Sequence, residues 1–453
     1  MSNINKGIMK ESFEEQTVIF LSIVKWIILA VVIGLLVGGS TTVFLKLLHV
    51  TTDLSSHFRY YFLALPFTFV LCTLLINYLA PQSKGHGTEK VIEAVHKRSG
   101  KIDWTVIPVK LFTTIITIAS GGSVGKEGPS GQIGAGLASM FSDLFRLNDH
   151  DRKKLVICGI SAGFAAVFGT PISGAIFGLE VLYVGAVMYD VMLPSFIAGI
   201  IAYHVCTYFG ITYFHSHINF VPIFSNSFFL VVMLAGIVFG TVSFVFIESF
   251  RTIEEWIKSW SINEYLKNFL GGAALVGFIF LFSAKYAGLG VESIEQELNG
   301  TQSAFWYDFL LKMLFTIITL SFGGSGGVVT PIFFIGAAAG SLFAQVLHVD
   351  NATFAAIGMV SLLAGAANTP IAASIMGLEL FGPEVASYAA ISCVLSFLMT
   401  GHRSIYPSQI LSTKKSGSVE VELGDEMSNM TATLRPKGRL FLYRFWKFWH
   451  LKR

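Results

Sequence analysis

Long apolar runs, with no regular alternation of polar residues, recur from one end of this chain to the other. Val18–His49, Tyr60–Ala80, Met192–Phe209, Phe228–Ile247 and Tyr265–Ala284 reach or approach the roughly 20 residues a helix needs to cross hydrocarbon. Strands of a membrane barrel would alternate polar and apolar positions, and these runs do not. Between them lie shorter runs interrupted or bounded by glycine, at Val106–Ala119, Leu155–Phe168, Ile172–Val184 and Ile332–Leu347. They predict helices that end inside the membrane or lie steeply tilted. Non-helical backbone at that depth is tolerated only where protein or an aqueous cavity satisfies its polar groups. The pattern predicts an all-α polytopic membrane protein.

Composition strengthens that reading. Apolar residues make up 53% and charged residues 13% of the chain, about half the charged share of a soluble domain; mean hydropathy is +0.66. The 44 glycines suit close packing of membrane helices. Basic residues collect in Lys84–Lys101, in Arg146–Lys154 and after Lys414. By the positive-inside tendency these stretches, and both termini, are expected to be cytoplasmic in a multi-pass protein of the cell membrane (the inner membrane, if prokaryotic). Residues 1–16 carry charges of both signs without a cleavage-site pattern, unlike a signal peptide. Cys72, Cys158, Cys206 and Cys393 stand apart, with neither metal-ligand nor disulfide spacing. No metal, cofactor or nucleic-acid partner is expected; the lipid bilayer is. Gly159-Ile160-Ser161-Ala162-Gly163 fits Gly-x-Ser-x-Gly, but that motif needs a strand-to-helix elbow and a positioned histidine. No enzyme is expected.

The chain also repeats itself. Thr170-Pro171-Ile172 through Leu182 aligns without gaps on Thr369-Pro370-Ile371 through Phe381, with seven of thirteen positions identical. Upstream, Gly121-Gly122-Ser123 through Pro129 parallels Gly323-Gly324-Ser325 through Pro331 in the same order. Two related membrane halves are therefore expected, at 17–210 and 225–410. A cytoplasmic segment, 1–16, precedes them and a short basic and aromatic tail, 411–453, follows, either on the membrane surface or disordered. Duplicated halves with interrupted helices place the substrate of a secondary transporter near the midplane, between broken helix ends. Similarity alone leaves the copies parallel or inverted.

An anion crossing hydrocarbon needs a replacement for its water, yet must also leave. Free backbone N–H groups at helix N-termini meet both demands, each end contributing about 0.3–1 kcal/mol and up to roughly 2 when partly buried. Glycine lets the backbone approach closely, and proline in the first helical turn gives up an N–H that the helix does not use. Three stretches have that composition: Gly85-His86-Gly87-Thr88-Glu89, Gly125-Lys126-Glu127-Gly128-Pro129 and Gly327-Val328-Val329-Thr330-Pro331. In this order they resemble the signature motifs of the CLC family of chloride channels and chloride/proton antiporters, roughly Gly-Ser-Gly-Ile-Pro, Gly-Arg/Lys-Glu-Gly-Pro and Gly-x-Phe-x-Pro. The second is matched in full and the third in all but its phenylalanine. Phe168-Gly169-Thr170-Pro171 with Glu180, and Ser404-Ile405-Tyr406, are similar to two further family segments. The resemblance spans residues 17 to 410. It implies two inverted (antiparallel) repeats with broken, tilted helices, and a homodimer with one pathway per subunit.

A carboxylate at mid-membrane is a functional-site hypothesis by default. The resemblance gives Glu127 the role of a gate that blocks the path when charged and yields when protonated; the alternative is an ion pair with Lys126. The second repeat has Val329 at the matching position, so repeat packing does not demand the carboxylate. Lys126 is expected to shape the local field. Gly125, Gly128, Val328, Val329 and Thr330 are expected to offer backbone N–H groups to the anion, and Tyr406 its hydroxyl. His86 stands at the family's pore serine, so it is expected among the anion-binding residues with its imidazole as donor; a ring that faces away from the path is the alternative. Glu180 and Glu379 occupy equivalent repeat positions, which favours capping or pairing; a place on the proton path is the alternative for Glu180. The family's antiporters usually carry a second glutamate just after the position of Glu180; here that place is Val181. The expectation is transport of small inorganic anions, chloride first, coupled to protons through Glu127. A passive chloride channel and a fluoride/proton antiporter are the alternatives.

Overall fold

The computed structural model describes residues 2–213, 226–430 and 433–434. The aromatic and basic residues 441–449 lie outside the described residues. Sixteen α-helices fall into two series of eight. The first is α1 (Ser2–Ser56), α2 (Leu65–Leu79), α3 (Gly87–Lys97), α4 (Val106–Ala119), α5 (Glu127–Leu144), α6 (Asp149–Phe168), α7 (Pro171–Glu180) and α8 (Met192–Tyr208). The second is α9 (Asn226–Lys258), α10 (Glu264–Leu281), α11 (Val291–Leu298), α12 (Asp308–Ser321), α13 (Val329–Leu347), α14 (Asn351–Ala367), α15 (Pro370–Phe381) and α16 (Pro383–Met399). Among the described residues, six helices are long and apolar enough to cross a membrane, α13 among them with most of its residues buried inside the protein. The short α3 and α11 are amphipathic and not among these spans.

The two series pack alike. Gly34 and Gly38 of α1 lie against the backbone of α8, and Gly236 and Gly240 of α9 lie likewise against α16. A Cβ on any of these glycines would approach the partner helix within 3 Å, so the Gly-x-x-x-Gly spacing is a contact surface in both halves. The halves are inverted. Glu180, at the C-terminal end of α7, accepts from the Ile371 and Ala372 N–H groups at the start of α15 (3.0 and 2.8 Å). Glu379, near the end of α15, accepts from Ile172 and Ser173 at the start of α7 (3.0 and 2.8 Å). Each helix thus caps its repeat counterpart, which requires the two to run antiparallel. The carboxylates meet the positive ends of the helix dipoles and satisfy N–H groups left without partners at helix starts.

Two boundaries differ from the sequence reading. With no proline between Ser2 and Ser56, α1 continues through residues 2–16 instead of starting at the membrane. The tail expected from 411 begins inside packed structure. β1 (Tyr183–Val184) pairs in parallel with β2 (Ile410–Leu411), and Leu411, Val421 and Met427 bury their side chains with Val184 in a small separate core.

Candidate functional site

Four loops meet at the centre, and glycine is what lets them. Gly125 and Gly327 exchange both backbone hydrogen bonds at 2.7 Å, a single antiparallel bridge across the repeat axis. Hydroxyls of each half hold the loop of the other: Ser123 N–H donates to Thr319 Oγ1, and Ser325 N–H to Thr117 Oγ1, both at 3.1 Å. The start of α3 closes on the start of α5 with no room for a side chain, since a Cβ on Gly87 would lie 2.3 Å from the Gly128 carbonyl oxygen. Gly87→Ala should therefore yield little folded protein, because the obstacle is backbone and overpacking costs about 1–3 kcal/mol even where neighbours can shift. Gly39→Ala, on α1 with nothing within 4 Å of the new methyl, should be tolerated. Monodispersity on size exclusion of the two purified variants checks the pair.

Glu127 is the first residue of α5 and buried. Its carboxylate crosses the repeat boundary to the N-terminus of α13, accepting from Thr330 Oγ1 at 2.6 Å and from Thr330 N–H at 3.1 Å. Lys126 is partly buried and makes no ion pair with Glu127 among the described residues. The carboxylate therefore acts as an anion does at a helix start. This alters the expected donor set. The Thr330 N–H is occupied by Glu127, and the Gly125 N–H is spent on Gly327, so Gly125 is withdrawn as a donor because the inter-repeat bridge uses it. Val328 and Val329 are buried beside Thr330.

Tyr406 is fully buried, and its hydroxyl has no hydrogen-bond partner among the described residues. The Thr88 hydroxyl, facing Gly128, stands within reach of this phenol, although the two form no hydrogen bond of good geometry. The loop carrying Tyr406 is fastened on three sides. Ile405 N–H donates to Ala366 O (2.9 Å), and Gln409 Nε2 donates to Val181 O and Ala367 O (both 2.8 Å). Ser408 gives its N–H (3.0 Å) and hydroxyl (2.5 Å) to Glu89 Oε1. His86 packs its ring 5.0 Å from that of Phe250, and its Nδ1 has no partner. It lines a cavity of about 550 Å³ together with Lys84, Glu89, Glu248, Arg251 and Arg403. Val181 is buried among apolar residues.

Sequence reasoning missed Thr88, Glu89 and two buried lysines. Lys110 Nζ donates to Ser83 O and Gly85 O (3.2 and 2.7 Å), and Lys312 Nζ to Tyr286 O and Gly288 O (3.2 and 3.0 Å). The signal was present: Gly85-His86-Gly87-Thr88-Glu89 matches Gly288-Leu289-Gly290-Val291-Glu292, and each lysine lies eleven residues before a Gly-Gly-Ser.

The family model for voltage gated chloride channels matches residues 68–401. A "chloride/fluoride channel protein" of Pseudomonas syringae is 36% identical over 394 residues, covering 85% of this chain and 86% of the relative. An H+/Cl− exchange transporter of Salmonella paratyphi B is 28% identical over 348 residues, covering 70% and 72%. The crystal structure of a CLC-type fluoride/proton antiporter superposes with a TM-score of 0.82 at 30% identity, over 87% of this chain and 99% of that one.

Proposed function

Since this chain belongs to the voltage-gated chloride channel family, we infer that it exchanges small halide ions for protons across a cell membrane, with Glu127 as the gate. One observation carries the gating role: the Glu127 carboxylate occupies the N–H and hydroxyl donors of Thr330 at the start of α13, a place suited to an anion. Protonation would remove the charge that holds it there, and an entering anion would take over the donors. Lys126 would add a positive field behind the gate. Gly128, Val328 and Val329 would present backbone, and His86 would face the anion at the mouth of the basic cavity, which this reading makes cytoplasmic along with both termini. A homodimer would carry one pathway per subunit, each chain holding all four loops.

Fluoride is the anion favoured here. Fluoride concentrates its charge on a small surface and is a strong hydrogen-bond acceptor, so hydroxyl donors replace its water well. Thr88 and Tyr406 offer two such hydroxyls, within reach of each other and with no other protein partner among the described residues. The relative at 36% identity is named for chloride and fluoride, and the structure at 30% identity for fluoride. Chloride is the second reading, supported by the exchange transporter from Salmonella. Purified protein in liposomes, loaded in turn with fluoride and chloride, should drive uphill proton movement, more strongly with fluoride. A greater response to chloride supports the second reading. Anion flux without proton movement would point to a channel and sink the coupling.

A further inference from the structure

Val181 leaves the place of the family antiporters' second glutamate without a titratable group, so a proton bound for Glu127 needs another entry point. Three carboxylates line the basic cavity. Glu248 is paired with Arg251 and Arg403, and Glu254 with Lys258. Glu89 is the one with no ion-pair partner among the described residues, and it is also the most buried. Its carboxylate accepts from the Ser408 N–H and hydroxyl instead, two residues from Tyr406. Glu89 therefore touches the cavity on one side and the loop of the candidate pore tyrosine on the other.

Repeat packing does not explain it. The matching residue of the second half, Glu292, is exposed and, among the described residues, accepts only from Gln296 within its own helix. Where the family motif has proline, this chain has Glu89.

We propose that Glu89 is the cytoplasmic proton acceptor that supplies Glu127, a reading that rests on the proton-coupled exchange inferred above. A hydronium in the cavity gives its proton to the free side of the Glu89 carboxylate and becomes water. That O–H bond breaks as the proton passes along water admitted with the anion, and a new O–H bond forms on Glu127 as its carboxylate leaves Thr330. Glu89 returns to its charged form, and no electrons change hands. The groups around Glu89 are His86, Lys90 and Glu93 on or capping its own helix, Ser408 and Tyr406 from the Tyr406 loop, and the other charged or titratable residues that line the cavity, Lys84, Glu248, Arg251, Glu254, Lys258, His402 and Arg403.

The test compares fluoride and proton flux in liposomes for wild type, Glu89→Gln and Ser408→Ala. Glutamine keeps an oxygen for Ser408 but takes up no proton from the cavity. Anion flux should continue at a reduced rate while proton flux falls about 100-fold, the usual scale for a lost acid–base group. Ser408→Ala removes a hydroxyl that favours the charged carboxylate, so the pH midpoint of proton flux should move toward alkaline values by about one unit. A merely structural Glu89 would leave that midpoint in place. Uphill proton movement by Glu89→Gln at the wild-type ratio to anion overturns the proposal while leaving coupling intact. Should Glu89→Gln fail to fold, an unmoved midpoint in Ser408→Ala overturns it. Wild-type protein that moves no protons would instead sink the coupling on which the proposal rests.

Discussion

Glu127→Gln should abolish uphill proton movement while anions still cross. The amide matches the carboxylate in shape and can still accept one bond from Thr330, but it holds no charge and takes up no proton. Hydrogen bonds to a charged group contribute about 1.5–3 kcal/mol each, against roughly 1 for neutral pairs. Converting the two bonds from Thr330 (2.6 and 3.1 Å) to neutral ones therefore weakens the latch by about 1–4 kcal/mol, a factor of roughly 5 to 1,000 in favour of the open state. Thr330→Val provides the complementary test, removing the 2.6 Å hydroxyl donor while leaving the titratable group. It should raise the anion-to-proton ratio without eliminating proton movement. Parallel recordings from ion-selective and pH electrodes on liposomes decide both. Uphill proton transport by Glu127→Gln would dismiss this residue as the coupling group, and a wild-type ratio in Thr330→Val would dismiss the latch.

What was legible in the chain divides along sequence distance. Glu127 and the three glycine loops could be picked out because each is a short contiguous motif whose composition has a physical meaning. Their partners could not. Thr330 lies 203 residues from Glu127, and Ser408 lies 319 residues from Glu89, so only the folded chain shows which donor faces which carboxylate. The withdrawal of Gly125 as a donor has the same origin, because its N–H goes to a glycine of the other repeat. The duplication was plain at Thr170-Pro171 and Thr369-Pro370, where seven identities cluster. It went unread at Lys110 and Lys312, where the matching residues are few and their meaning, two lysines tying down the loops ahead of α3 and α11, appears only with the carbonyls in view. Helices α14 and α16 give no span signal because each is an apolar helix of only 17 residues, short of the roughly 20 that cross hydrocarbon.

The reciprocal caps carry the second large expectation, and it concerns stability. Each of Glu180 and Glu379 satisfies two otherwise unpaired N–H groups at the start of the opposite helix. Removing one carboxylate strands those donors at a partly buried helix end, and each lost charged bond costs about 1.5–3 kcal/mol, so Glu180→Ala and Glu379→Ala should each destabilise by roughly 3 kcal/mol or more. Glutamine should recover only part of that, because one of its two polar atoms is an N–H₂ group that would face a second N–H. The double alanine variant should fall short of the sum, since both caps join the same pair of helices and losing the first frees the second. Thermal unfolding of the purified variants in detergent measures all of this, and transport assays on the survivors separate the possible duties. A capping role predicts lower stability with the anion-to-proton ratio of the remaining protein unchanged. A Glu180→Gln variant of wild-type stability that had lost proton movement would instead place Glu180 on the proton path, with its bonds to Ile371 and Ala372 incidental to that duty.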